Sequence, residues 1–213
     1  MFENIDQSRL VKILRTIFVL EWVILAIEPY YRSDWLLENI LVILFIGLLM
    51  LARRHVVFSN TSYILIFIFL FLHEIGAHYT YSEVPYDKWF SYINGYTFNE
   101  LVGWERNHFD RLVHFLYGFL LVHPVRELFV QLAQLRGFWS YFFPYMVIAA
   151  SSVFYEQIEW AAAEIFGGEL GMAYLGTQGD VWDGHKDMGL ASLGAFISIC
   201  GYAYLNRSKQ QIS

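Results

Sequence analysis

Ile64-Leu-Ile-Phe-Ile-Phe-Leu-Phe-Leu72 is an unbroken apolar run, and the segment around it, Ser62 to His78, contains no Lys or Arg. A helix that crosses a bilayer needs about 20 mostly apolar residues, with a range of roughly 17–25. Five further stretches have that length and character: Leu10 to about Glu28, Trp35 to Leu51, Asp110 to about Phe129, Tyr141 to about Glu164, and Met188 to Leu205. Hydrocarbon offers no partner to an exposed backbone amide, so all six are expected to be helical. The first is not a cleavable signal peptide, because its apolar run is too long and no small-residue cleavage site follows. Pro124 interrupts the fourth and predicts a kink there. The fold class that follows is all-α: a polytopic membrane helix bundle with six transmembrane helices. Residues 1–213 form a single integral-membrane domain without internal repeat or low-complexity segment.

Composition agrees. Apolar residues are 57% of the 213 and charged residues 16%, against about 45–50% and about 25% in soluble domains. Aromatic residues reach 19%, enough to cover surface as well as fill a core. Disordered, collagen-like and disulfide-rich classes are excluded. Cys200 is the single cysteine and cannot form an intramolecular disulfide. The formal charge of −6 lacks the basic excess that nucleic-acid binding needs. Membrane lipid is the expected partner, and the oligomeric state is left open.

Lys and Arg set orientation. Arg9, Lys12, Arg15, Arg53, Arg54, Arg126, Arg136, Arg207 and Lys209 make nine on one side, and Arg32, Lys88, Arg106, Arg111 and Lys186 make five on the other. The excess predicts both termini in the cytoplasm. Two outer loops then stand out. Tyr79 to Phe109 spans 31 residues and is rich in aromatics; Ile165 to Lys186 spans 22 and carries Gly167, Gly168, Gly171, Gly176, Gly179 and Gly184. Loops of that length are uncommon unless functional or disordered. The first is either an interfacial aromatic belt or a lid over a site.

Ionisable side chains inside spans are costly and usually face the protein interior. Glu74 and His78, at the end of the third span, are four apart and share a helix face; so do Asp110 and His114 at the start of the fourth. Glu156 and Glu159 lie three apart late in the fifth span, and Asp183 and Asp187 lie four apart at the entrance to the sixth. With the third and fifth spans running outward and the fourth and sixth inward, all four clusters fall at one depth near the outer surface. Glu21 and Glu28 of the first span can join from the same half. Gly189, Gly194 and Gly201 read as helix-packing positions, and Tyr117 and Tyr155 as packing aromatics.

A mixed His and carboxylate set suits Zn, Mn or non-haem Fe. The expected metal ligands are His73, His78, Asp110, His114 and Asp187. The zinc motif H-E-x-x-H is absent, since position 77 is Ala. Glu156, Glu159 and Asp183 are the candidate catalytic acids and bases, with Glu156 or Glu159 as general base. Arg106, Arg111 and Lys186 are the candidate substrate-binding cations for a phosphate or head-group anion. The expected function is a metal-dependent hydrolase or transferase acting on a lipid or lipid-linked envelope substrate, in which a metal-bound water is the nucleophile. The alternative is a non-catalytic protein, either a proton-linked carrier or a structural or partner protein with a buried salt-bridge network.

His73-Glu-Ile-Gly-Ala-His-Tyr-Thr-Tyr81, Asn107-His-Phe-Asp-Arg-Leu-Val-His-Phe115 and Gly176-Thr-Gln-Gly-Asp-Val-Trp-Asp-Gly-His-Lys-Asp-Met188 resemble the YjdF-type bacterial inner-membrane proteins. The likeness covers about residues 10–205 and implies a multi-pass location in the bacterial inner membrane. It leaves the activity to be read from the residues. A narrower resemblance, over about residues 108–201, is to VanZ-like membrane proteins. Asp110 and His114 match their Asp-x-x-x-His element, Glu156 or Glu159 the later acid, and Asp183 or Asp187 with Gly189 and Gly194 the Gly-rich last span. That resemblance implies a role at the envelope associated with glycopeptide-antibiotic resistance.

Overall fold

A computed structural model describes residues 6–167 and 175–212. Within them the chain forms eight helices and no strand: α1 (Gln7–Leu25), α2 (Arg32–Ala52), α3 (Asn60–Tyr79), α4 (Tyr86–Asn94), α5 (Phe98–Val102), α6 (Phe109–Leu132), α7 (Trp139–Phe166) and α8 (Asp183–Ile212). Gly168 and Gly171 of the second outer loop, and the side chains of Arg207 and Lys209, lie outside the described residues.

All six segments expected to span are helical. By length and apolarity, α2, α3, α6 and the Asp183–Leu205 part of α8 are able to cross a membrane. The other two are diluted by polar residues: α1 by Arg9, Lys12, Arg15 and Glu21, and α7 by Ser151, Ser152, Glu156, Gln157 and Glu159. Large apolar side chains cover the outside of the bundle, with Ile24, Ile43 and Leu48 each about two-thirds exposed. In water such a surface would aggregate; in a bilayer it is the lipid-facing coat.

Helix ends follow local chemistry. Asp6 accepts from Ser8 N at the start of α1, and Ser59 from Ser62 N at the start of α3. The first span stops at Leu25, short of Glu28, which sits in a left-handed turn with φ 49°. α8 begins at Asp183, five residues ahead of the expected Met188, so Asp183 and Asp187 both stand on helix. α6 continues through Pro124 to Leu132. The 79–109 segment is not an open loop. It folds into α4 and α5, the latter started by a capping box between Thr97 and Glu100. The Phe98 ring meets Tyr86, Phe90 and Trp104, which closes the segment on itself.

The bundle is centred on α6, which packs against α3, α7 and, most closely, α8; α1 and α2 lean on α3. Glycine sets the α6–α8 approach. A Cβ on Gly118 would overlap the Ala191 carbonyl oxygen, and one on Gly194 would overlap that of Phe115. Gly189 and Gly201 correct the expectation of a full glycine seam, because nothing lies within 4 Å of a Cβ built on either. The apolar core runs through Val42, Ile66, Leu70, Leu121, Val122, Ile148 and Ala195. Close backbone contact of α6 with α8 is what brings the first turn of one against the first turns of the other.

Candidate functional site

Asp110 and His114 stand one turn apart at the start of α6, and Asp187 reaches them from α8. One ligand atom from each of these three lies within 4.8 Å of the others, the one such group of His, Cys, Asp or Glu among the described residues. His114 Nε2 is 3.4 Å from Asp110 Oδ1 and 3.6 Å from Glu156 Oε1 on α7. His114 is 7% exposed and Asp187 2%. Gly184 makes room here, since a Cβ at that position would run into the Glu156 carboxylate. Glu156 Oε1 and Asp187 Oδ1 have no hydrogen-bond partner among the described residues. Glu159 follows on α7 within hydrogen-bonding reach of Glu156.

Beside this group the cations are already paired. Asp183, 2% exposed, accepts from Arg106 Nη2 at 2.8 Å and Arg111 Nη2 at 3.0 Å. Asp180 Oδ2 accepts from Arg111 Nη2 and from Lys186 Nζ, each at 2.5 Å. The Lys186 ammonium, then the Trp182 backbone N–H, hold the Asp180 carboxyl well below the ordinary aspartate range. Arg106 Nη1 also donates to the Thr177 carbonyl at 2.8 Å, and the Gln178 amide exchanges two hydrogen bonds with the Asn107 backbone. The segment before α8 is thus strapped to the segment before α6. The structure brings Arg106, Arg111 and Lys186 together, with their charge facing Asp180 and Asp183.

A second polar group lies between α2, α3 and α7. Tyr155 donates to Glu38, its hydroxyl 3.2 Å from both carboxylate oxygens. His73 Nδ1 is 2.6 Å from the Tyr81 hydroxyl. Its Nε2 faces Glu38 Oε2 at 3.8 Å, too far for a hydrogen bond, and has no other partner among the described residues. Thr80 donates to Asp34, and Trp22 donates to Asn39. Glu74 is fully buried, and it and Glu21 leave both carboxylate oxygens without a hydrogen-bond partner among the described residues. His78 is placed apart from both groups, with Nδ1 2.8 Å from the Leu25 carbonyl and its ring against Tyr30 and Tyr79. Glu28 joins neither group.

Asp34 and Glu38 belong to this second polar group and are absent from the residues singled out in the sequence. They are four apart on α2 and both 2% exposed, so the spacing rule applied to the other spans would have found them. Between the two polar groups lies a cavity of about 190 Å³, with His73 on one wall and His114 on another. A larger groove of about 840 Å³ runs over the outer face of α6 and α8, lined by Phe98, Trp104, Leu112, Phe115 and Leu193, with Lys186 at its polar end.

The profile of the family described as "Predicted membrane protein (DUF2238)" matches residues 10–207. Inner membrane protein YjdF of Escherichia coli (strain K12) is 34% identical over 175 residues, which cover 82% of this chain and 79% of that protein. No solved structure matches. A match over nearly the whole length, with four helices able to cross a bilayer, settles the family: the chain belongs to DUF2238 and is a multi-pass protein of the bacterial inner membrane.

Proposed function

We propose that this protein is a membrane-embedded metal-dependent hydrolase or transferase acting on a lipid or lipid-linked envelope substrate. The observation that carries the reading is the Asp110–His114–Asp187 group, whose ligand atoms converge within 4.8 Å, while Glu156 Oε1 and Asp187 Oδ1 have no hydrogen-bond partner among the described residues. Buried acids without a counter-charge are costly, and a divalent Zn, Mn or Fe ion would relieve that cost. Such an ion supplies Lewis acidity and charge neutralisation at the reacting group. Glu156, 3.6 Å from His114 Nε2, is placed to accept and return a proton, with Glu159 behind it. Asp183 orients Arg106 and Arg111, and so acts as a positioning residue. Lys186, half-exposed and lining the apolar groove, would exchange its Asp180 partner for a lipid head group.

The finer topology belongs to the same reading. α1, α2, α3, α6, α7 and α8 each cross the bilayer, with both termini in the cytoplasm, as the excess of Lys and Arg implies. The His114 end then faces outward, where envelope lipids present their head groups.

The test is metal content. Protein purified in detergent without chelator and resupplied with metal should hold a stoichiometric transition metal by mass spectrometry. His114→Ala should lose it, and His123→Ala at the far end of α6 should not. A well-folded wild type that takes up no metal would overturn the metal enzyme and leave a salt-bridged, non-catalytic bundle as the account.

A further inference from the structure

We infer that the cavity between His73 and His114 is a binding pocket for a second ligand, the aliphatic chain of a single-chain amphiphile with a hydrogen-bonding head. From the preceding reading it takes only the placement of His114 at the reactive centre.

The cavity is separate from the lipid groove. On α6 it is lined by Val113, His114 and Tyr117, whereas the groove is lined by Arg111, Leu112 and Phe115. At about 100° per residue these are opposite faces of one helix. The two spaces are therefore distinct, and it is the cavity, not the groove, that His114 lines.

The walls state the chemistry. Val42, Phe45 and Leu70 make most of the surface apolar. His73 and Ser152 are also among the lining residues, and their Nε2 and Oγ atoms are buried with no hydrogen-bond partner among the described residues. His73 is 6% exposed and Ser152 2%. An apolar ligand alone would leave both unsatisfied, each with its desolvation cost unrelieved. Water alone would wet a mostly apolar surface, and apolar cavities of about 150 Å³ stay dry and admit small hydrocarbons. A chain ending in a carboxyl, hydroxyl or ester group satisfies both demands. The ~190 Å³ holds roughly six water-sized units, so the chain portion taken up is short. Tyr81 fixes His73 from Nδ1, which leaves Nε2, 3.8 Å from Glu38 Oε2, as the ring nitrogen that a head group would have to meet. Entry is lateral: α2 packs chiefly on α3, and its outer face, with Ile40, Ile43 and Leu44, is open to lipid.

The experiment is photolabelling of the full-length protein in detergent with an eight-carbon fatty acid carrying a chain diazirine, followed by peptide mapping. Labels should fall on the Leu41–Phe45 and Ser151–Tyr155 segments and be displaced by excess octanoate. Leu70→Trp fills the pocket and should abolish them; Leu41→Trp, on the half-buried wall, does the same if Leu70→Trp fails to fold. Ile43→Trp, on the lipid-facing side, should leave them intact. His73→Gln should weaken displacement by octanoate about fivefold, the effect of one neutral hydrogen bond. Labels confined to lipid-facing positions, or undiminished in both filled variants, overturn the pocket. Metal content separates the two readings. Labelling without bound metal keeps the pocket and removes the metal centre, whereas bound metal without pocket labelling does the reverse.

Discussion

The two ends of α6 carry the same residue pair, a His four residues from an acid, and treat it in opposite ways. At the far end, His123 Nε2 is 3.3 Å from Glu127 Oε1. The other oxygen of Glu127 accepts from Ser59 N at 2.9 Å and Ser62 Oγ at 2.7 Å. Gln131 closes two hydrogen bonds with the Val57 backbone, and Arg126 stacks on Tyr141 and Tyr202. Glu127 is thereby matched donor for donor, and the network does one thing, which is to pin the α2–α3 turn to α6. At the near end, His114 faces Asp110, Glu156 and Asp187, and oxygens of Glu156 and Asp187 have no donor among the described residues. A fold selected for stability alone gains nothing from such a surplus of acid. The difference teaches where to look for function, because the satisfied pair explains itself and the unsatisfied one does not.

The largest expected effect separates the strap from the cluster it borders. Arg111→Met would leave Asp183, buried and accepting from Arg111 and Arg106, with one cation fewer. Breaking one member of a buried pair costs about 3–5 kcal/mol, and the remaining Arg106 places this variant at the lower end. Arg111→Met combined with Asp183→Asn should recover most of the loss. Unfolding of the detergent-solubilised protein followed by tryptophan fluorescence measures both. A loss that the double variant does not repair would mean that Arg111 acts elsewhere than through Asp183.

The next effect is a difference in size. Glu127→Gln should cost about 1.5–3 kcal/mol, the value of hydrogen bonds to a charged acceptor. Glu156→Gln in metal-free protein should cost little or nothing, since Glu156 Oε1 has no hydrogen-bond partner among the described residues and 3.6 Å to His114 is too long for one. With metal bound the order at the near end should reverse, because the neutral amide introduced by Glu156→Gln would no longer help hold the cation. Equal destabilisation by both variants without metal would show that the near end is a structural network after all.

Which parts of this were legible in the sequence follows from the range of the interactions. The Asp110–His114 and Asp183–Asp187 pairs depend on helical spacing, and 3.6 residues per turn is enough to set them on one face. Their convergence depended on helix direction, and that too was readable from the order of spans. The pairing of Arg106 with Asp183 was not. It joins residues 77 apart in sequence, and nothing local distinguishes Asp183 from Glu156 as the partner. His78 departs from its expected place in Glu74's cluster because a shared face says nothing of which helix lies opposite; here it is the end of α1. The Asp34–Glu38 pair was open to the same spacing rule, but its burial was not, because acids near the start of an otherwise apolar helix are commonly solvated. Only the packing of α3 and α7 makes them buried.

The smallest effect is a pH dependence that the strap should show in two steps. Burial, reinforced by Arg111 and Arg106, lowers the pKa of His108 at the α6 N-terminus. The unfolded chain therefore takes up that proton first, and stability falls as pH drops through the ordinary histidine value of 6.5. Asp180 is depressed by Lys186, Trp182 and Arg111. Its contribution is complete above the unfolded value of 3.8 and is lost as pH falls below it. Asp180 is partly exposed and screened by solvent, so this step should be smaller than the Arg111→Met loss. Unfolding midpoints from about pH 7.5 to about pH 3 should lose the upper step in His108→Gln and the lower one in Asp180→Asn. A profile unchanged by either substitution would mean that the strap does not hold the ends of α6 and α8 together, and that the Asp110–His114–Asp187 geometry rests on the Gly118 and Gly194 contacts alone.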